Sequence, residues 1–456
     1  MCARPKAFSS DRLPAMSDTA HLGFWSTINT IYHDRYRCSG MVVQIAAIEG
    51  PLTPGLLRRA LFLLQQRHPL LQATIEDDNR YYRFTRDTYA GKTHEEMLSA
   101  IPLRLVRRDS ADRWRDVAEK ELCRDFDKTC PCLWRVVLLS PEGSGARHEL
   151  IMVFHHAVAD ALCGAHCLRE ILDLCSRCID GHGPLRNSVP LPLLPAVEKM
   201  IPKHGAPPHQ RSPEAASKPG PSPWRFEQYA SLSQRTARLL YREIGPDVMA
   251  RLKKRAEKEQ ATINSALTAA LLLSTVQTKE GPCTVGFSTA VDLRRYCEPA
   301  IAHEHFGCHI MVLQTAPLVD PDGTLWELSR QCGSELAHET ALKQRQGFLP
   351  KMFTKAFLTT AMTSNLSRAD KEHHFPGGPA LSNLGALDVP AAYGPFRLEG
   401  IYFTTCQLSG LYMLFVSVIN FNGKLFCCFS FAEPLISVKT VQAVADRFTA
   451  LLENAS

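Results

Sequence analysis

The chain has 456 residues, 45% hydrophobic and 21% charged, with a formal net charge of +6, an ordinary globular balance long enough for two packed cores of roughly 200 residues each. Its lysines and arginines are scattered among nearly as many acids, so charge names no nucleic acid as a partner. The longest apolar runs, around residues 267–276 and 411–419, fall well short of the roughly 18–20 residues that span a bilayer, and the N-terminus lacks the apolar core of a secretory signal.

These features lead us to expect a cytoplasmic, unanchored protein with no membrane span. Sixteen cysteines occur without a secretory signal, so reduced thiols packed as small hydrophobes are expected rather than a disulfide framework.

In chain order, residues 41–48 alternate as a strand, residues 56–67 show helical apolar spacing at Leu57, Leu61 and Leu64, and residues 70–75 read as another strand. A loop region closes at 97–101 and residues 114–124 look helical. Residues 133–139 and 149–154 read as two strands, the second apolar nearly throughout and therefore buried. A helix follows over 161–178. Composition then changes, because residues 184–223 hold about eleven prolines with Gly, Ser, His and Lys, the mark of a linker or loop.

Downstream, helical patterns cover 246–259 and 263–277, the second with Thr262 placed to cap it. A strand at 284–291, a segment at 309–315, a helix over 325–345 and a segment at 353–362 come next. Residues 396–405, 411–420 and 424–431 read as antiparallel strands joined by short turns such as Asn422-Gly423, and a helix over 438–452 closes the chain. No internal repeat is visible, yet each half offers a sheet with helices. The expected organisation is an N-terminal subdomain over 1–183, a linker over 184–224 and a C-terminal subdomain over 225–456.

One segment carries chemistry. Phe154-His155-His156-Ala157-Val158-Ala159-Asp160 places two histidines at the end of a buried strand and an acid where a helix begins. Histidine takes and returns a proton near neutral pH, as attack of a hydroxyl or amine on a thioester requires. From the residues alone, the same segment equally describes polar residues ending a strand and an aspartate capping a helix. Cys175-x-x-Cys178 with Cys163, Cys167 or the histidines lacks the second CxxC pair of a zinc site, so no metal is expected there, and His303, His305 and His309 make another histidine cluster.

The pattern H-H-x-x-x-D resembles the signature of the superfamily of chloramphenicol acetyltransferase, nonribosomal peptide condensation domains, plant BAHD acyltransferases and polyketide-associated acyltransferases. Neighbouring segments resemble it in the same order: RRALFLLQQRHPLLQATI up to Ile75, LWRVVLL at 133–139, GFSTAVDLRRY at 286–296, FGCHIMVL after it, and LSNLGAL at 381–387. The likeness is greatest to stand-alone alcohol acetyltransferases and polyketide-associated acyltransferases. DFGWG, the second BAHD signature, is missing, and Ala161 stands where the motif usually has glycine.

The resemblance implies an α/β (α+β) fold of two chloramphenicol-acetyltransferase-like subdomains, each a mixed sheet with flanking helices, with the active-site channel between them. It implies an O-acyltransferase in which His156 is the general base, His155 supports it, and Asp160 pairs with Arg294 to hold the motif loop. Ser288 and Asn383 are the candidates for binding the oxyanion or lining the channel. No covalent acyl-enzyme and no bound cofactor are implied, and a channel between the halves of one chain implies a monomer. The co-substrate is the thioester of acyl-CoA or of a phosphopantetheine arm, presented in the second case by an acyl carrier protein in trans, and the acceptor is a small-molecule alcohol or amine, with the alcohol favoured. The alternative is a non-catalytic, condensation-like protein that docks an acyl carrier or protein partner.

Overall fold

Two mixed sheets of six strands each carry the architecture. The computed structural model describes residues 19–78, 81–85, 94–128, 132–141, 147–179, 190–202, 224–276, 281–350 and 352–456. The first sheet runs in the order Ala392–Tyr393, Phe396–Thr405, Met41–Glu49, Arg147–His155, Trp134–Ser140 and Leu103–Arg107. The last two strands pair in parallel and the others antiparallel. Arg147–His155 is buried along all but its first residue, which explains why its sequence is a continuous apolar run rather than an alternation. Each large apolar side chain sealed there, such as Phe154, contributes roughly 1.5–3 kcal/mol by leaving water.

The second sheet runs Ile310–Thr315, Phe287–Asp292, Pro379–Ala386, Leu414–Phe421, Lys424–Glu433 and Thr236–Ile244. The helices Ile263–Thr275, Leu325–Arg345 and Val438–Asn454 pack on it. Their starts follow from local chemistry: the side chains of Thr262, Thr324 and Ser437 each accept from a backbone N–H of the first turn, satisfying a donor that the helix leaves unpaired.

The expected α/β class with a mixed sheet in each half is the observed one. Several local expectations are corrected. Residues 70–75 are not one strand, because Pro69 opens a 3-10 turn over Pro69–Gln72 and pairing begins only at Thr74–Asp77. The supposed loop at 97–101 overlaps a short helix, His94–Ser99. The strand expected at 284–291 is two: Cys283–Thr284 pairs with Leu318–Val319, and only Phe287–Asp292 joins the main sheet. The helix Phe24–Arg35 and the strands Thr236–Ile244 and Pro379–Ala386 were not expected.

The largest difference concerns Phe396–Thr405. It does not continue into a meander with Leu414–Phe421. It lies in the first sheet, antiparallel to Met41–Glu49, with Phe403 opposite Gln44. This crossing strand is stitched to the second sheet: the Ser417 hydroxyl bonds the Phe403 carbonyl, Ser430 Oγ donates to the Thr405 carbonyl at 2.7 Å, and Tyr402 donates to Glu243 at 2.6 Å. Phe403 and Thr405 thereby reach the seam between the sheets, where the cavity described below lies.

Of the expected linker, residues 184–189 and 203–223 lie outside the described residues. The part that is described packs closely. Leu191 donates to the Arg67 carbonyl at 2.8 Å, and Glu198, in the short helix Val197–Met200, accepts from the N–H of Phe24 at 3.1 Å. The fourteen described cysteines are free thiols, and no described helix is long and apolar enough to cross a membrane.

Candidate active site

The buried strand ends at His155, which faces Met41 in the sheet register. The chain then turns, with Val158 donating to the His155 carbonyl at 3.0 Å and His156 donating its N–H to the Gly40 carbonyl at 2.8 Å. Gly40 has φ +85°, and a Cβ there would lie 2.3 Å from the backbone oxygen of Asn29, so only glycine permits this approach. The two histidines consequently point into different surroundings.

His155 is wholly buried. Its Nδ1 accepts from the N–H of Ala157 at 3.1 Å, and its ring lies 4.8 Å from that of His33. Burial, and then the neighbouring His33, pushes its pKa well below the usual value, so it is a neutral core residue and does not line the cavity. His156 does line it. Its Nδ1 is 2.9 Å from the carbonyl oxygen of Ala159. A carbonyl only accepts, so the ring proton sits on Nδ1 and Nε2 keeps its lone pair. Burial also lowers the His156 pKa, against the opposing effect of Asp160.

Asp160 turns away from that imidazole. Oδ1 accepts from Arg294 Nη2 at 2.9 Å and from the N–H of Cys163 at 3.0 Å, while Oδ2 accepts from the N–H of His309 at 3.0 Å. Burial alone would raise its pKa, but the Arg294 guanidinium and these donors hold it well below the ordinary carboxylate range. Arg294, 1% exposed, also binds Asp292 at 2.9 Å. The contact joins residues 134 positions apart, and it is reinforced by a parallel bridge between Ala159 and Gly307. Gly307 has φ +145°, and a Cβ on it would meet the His309 ring at 2.5 Å.

A cavity of about 760 Å³ opens at this junction. Ala161 is part of its wall, so the methyl group in place of the usual hydrogen leaves the space open. Asn383 also lines it. Its Oδ1 accepts from Gly385 at 2.8 Å and its Nδ2 donates to Asn264 at 3.2 Å, which leaves one amide hydrogen without a partner among the described residues. Ser288, the other oxyanion or channel candidate, lies one side chain back from the wall. It shares a strand face with Ala290 and Asp292, which border the cavity, but it is buried farther along beside Tyr412 and is not part of the lining.

The other histidines do not converge. His303 pairs its ring with that of His166, 5.0 Å away on the cavity wall, whereas His309 is buried beneath Gly307, its pKa pushed by burial down to about 3. Among the described residues no group of three metal-binding side chains forms. Burial raises the thiols of Cys163 and Cys167 well above their ordinary value, which suits packing and not nucleophilic attack.

Sequence reasoning missed one wall. Trp25, Asn29 and Tyr32 line the cavity from the helix Phe24–Arg35. Their i, i+4, i+7 spacing was the available signal. Gln407, Ser409, Tyr412 and Phe415, which follow the crossing strand and also border the cavity, carry no local signal.

The family described as phthiocerol/phthiodiolone dimycocerosyl transferase C-terminus matches residues 241–398. Beauvericin nonribosomal cyclodepsipeptide synthetase of Beauveria bassiana is 27% identical over 147 residues, 32% of this chain and 4% of that protein. PF 1022-synthetase of Rosellinia sp. is 27% identical over 146 residues, again 32% and 4%. The chain therefore matches only a small fraction of the length of these relatives.

Solved structures match over almost the whole chain. Trichothecene 15-O-acetyltransferase of Fusarium sporotrichioides aligns over 98% of this chain and 100% of its own, with a TM-score of 0.72 at 13% identity. Polyketide synthase associated protein 5 of Mycobacterium tuberculosis aligns over 95% and 97%, with 0.66 at 16%. The first condensation domain of the calcium-dependent antibiotic synthetase aligns over 96% of each chain, with 0.67 at 15%. The resemblance drawn from the motifs is borne out at the level of the fold: the chain has the two-sheet fold seen in these acyltransferase and condensation-domain structures.

Proposed function

We propose that the protein transfers an acyl group from a CoA or carrier-protein thioester to the hydroxyl of a small acceptor, with His156 as general base. The observation that carries this reading is the hydrogen bond from His156 Nδ1 to the Ala159 carbonyl, on a ring that borders the large cavity. It leaves Nε2 as a proton acceptor.

The steps follow from that geometry. Nε2 takes the proton of the acceptor hydroxyl as its oxygen bonds to the thioester carbonyl carbon, giving a tetrahedral oxyanion and an imidazolium. The oxyanion collapses, the carbon–sulfur bond breaks, and the imidazolium returns its proton to the departing thiolate. The free amide hydrogen of Asn383 is suited to meet the oxyanion. Asp160 and Arg294 act on the loop rather than on substrate, because the carboxylate is engaged on both oxygens. No acyl-enzyme is needed. A carrier protein supplying the thioester in trans belongs to the same proposal.

The open cavity beside Ala161 favours this reading over a binding module whose channel has closed. The test is release of free thiol from acetyl-CoA, longer acyl-CoA and carrier-bound thioesters with panels of alcohols and amines. Acceptor-dependent release with an alcohol supports it. No release from any pair above the rate in buffer overturns it.

A further inference from the structure

The helix Phe24–Arg35 brings to the cavity two side chains whose polar ends the protein itself does not use. Asn29 is buried, and its Nδ2 donates to the Trp25 carbonyl at 3.0 Å and to Cys308 Sγ at 3.6 Å. Both amide hydrogens are thereby engaged, which fixes the orientation of the amide and leaves Oδ1 to accept. Tyr32 follows three residues on, a spacing that makes the two side chains neighbours on a helix surface. Their backbone lies against the motif turn: the Gly40 carbonyl accepts from the N–H of His156, and a Cβ on Gly40 would be 2.3 Å from the Asn29 backbone oxygen.

Among the described residues neither Asn29 Oδ1 nor Tyr32 Oη has a hydrogen-bond partner, and neither atom is sealed inside the protein. The open space they meet is the cavity. Burial, and then the nearby Tyr412 and Tyr36, raise the Tyr32 pKa, so the phenol keeps its proton and can donate it to a hydrogen bond. The titratable neighbours that act on it are those two phenols, and none of the carboxylates or cations on the cavity wall does so.

We propose that Asn29 and Tyr32 form a subsite for one neutral substrate group that both donates and accepts a hydrogen bond, an amide or a hydroxyl. Asn29 Oδ1 accepts its N–H or O–H, and the Tyr32 hydroxyl donates to its oxygen. The inference rests on the acyl-transfer reading of the cavity. An apolar group here would strip two polar atoms of water and return nothing, and an ion would be buried without a counter-charge. The group can be an amide of the donor's pantetheine arm or a second hydroxyl of the acceptor, and the two arms of the test separate them.

Wild type, Tyr32→Phe and Asn29→Ala are compared with two pairs of substrates. In the donor arm the acetyl thioester of N-acetylcysteamine, which has an amide, is set against that of pentanethiol, which has none, at a fixed alkanol. In the acceptor arm alkanediols are set against alkanols of equal length at fixed acetyl-CoA. Binding of S-ethyl-CoA and of the diols is measured by calorimetry in parallel. In one arm the wild type favours the group-bearing member at least about tenfold in kcat/KM, each variant cuts that ratio at least about fivefold, and affinity for the matching calorimetric probe falls with it. Because Tyr32 Oη bonds nothing among the described residues, the unfolding midpoint of Tyr32→Phe stays at the wild-type value, which separates a ligand contact from a structural one. A ratio left unchanged by Tyr32→Phe in both arms, or an equal loss with both members of each pair, overturns the proposal. If Asn29→Ala, which also removes the bonds to Trp25 and Cys308, does not fold, Tyr32→Phe decides by the same criterion. Absence of turnover in the wild type overturns the acyl-transfer reading alone; equal affinity of wild type and Tyr32→Phe for both probes then overturns the subsite.

Discussion

The Nδ1 of His156 and the carbonyl oxygen of Ala159 lie 2.9 Å apart, and this one contact fixes which imidazole nitrogen can act. Because the acceptor is a backbone oxygen three residues on, the tautomer is set by the shape of the turn and not by a charged partner. Asp160, the acid of the motif, faces the other way, onto Arg294.

The pH dependence follows from the lowered pKa of His156. Burial disfavours the imidazolium, so the ring is neutral throughout the physiological range and, under the proposed mechanism, ready to take a proton. We expect kcat/KM for thiol release to be flat above about pH 7 and to fall on the acid side, with its inflection below 6.5. An inflection above pH 7 would contradict the assignment.

The Asp160–Arg294 pair is a stability element. Both groups are almost fully buried, so Asp160→Asn or Arg294→Met leaves an unpaired buried group and costs about 3–5 kcal/mol. The double variant loses less than the sum, by about 1–3 kcal/mol. Urea unfolding measures both; strictly additive losses would remove the claimed coupling. The sign with pH is also fixed: the folded-state pKa of Asp160 is depressed, so its contribution is present above the ordinary carboxylate pKa and is lost as pH falls below it. Asp160→Asn abolishes that acid limb.

Two glycines hold the motif against its surroundings. Gly40→Ala sets a Cβ 2.3 Å from a backbone oxygen and Gly307→Ala sets one 2.5 Å from the His309 ring, both at positive φ. Each is expected to cost more than about 2 kcal/mol and to lower turnover, as read by thermal unfolding and thiol release. A neutral result at Gly40 would mean that the turn carrying His156 has more freedom than its geometry indicates.

Ala161→Gly tests the departure from the usual motif. The residue opens the helix Ala161–Ile179 and borders a cavity that is already wide. The change is expected to destabilise by about 0.5–1 kcal/mol and to alter kcat/KM by less than the roughly tenfold effect of a methylene in a tight site. A large gain in rate would show that the methyl group obstructs substrate.

What was legible in the sequence was what local chemistry dictates. The helix Leu325–Arg345 begins where Thr324 caps it, and the strand before His155 is apolar from Leu150 to Phe154 because both faces are covered there. The motif and Arg294 were found through resemblance, since nothing in the spacing of 134 residues announces a contact. The rest depends on long-range pairing. Phe396–Thr405 has the pattern of any antiparallel strand, and only the competition between Met41–Glu49 and Leu414–Phe421 as partners decides which sheet receives it. Ser288 is a candidate because it lies near the Asp-Leu-Arg segment, and the side chain between it and the cavity is Tyr412, which is remote in sequence.

The most direct test of the account is the rate of acceptor-dependent thiol release by His156→Ala, measured beside the wild type with unfolding midpoints recorded for both. The account predicts a loss of about 10²–10⁴-fold with the midpoint little changed, because the ring lines a cavity and carries none of the Asp160–Arg294 contact. Release at the wild-type rate from the folded variant would contradict it.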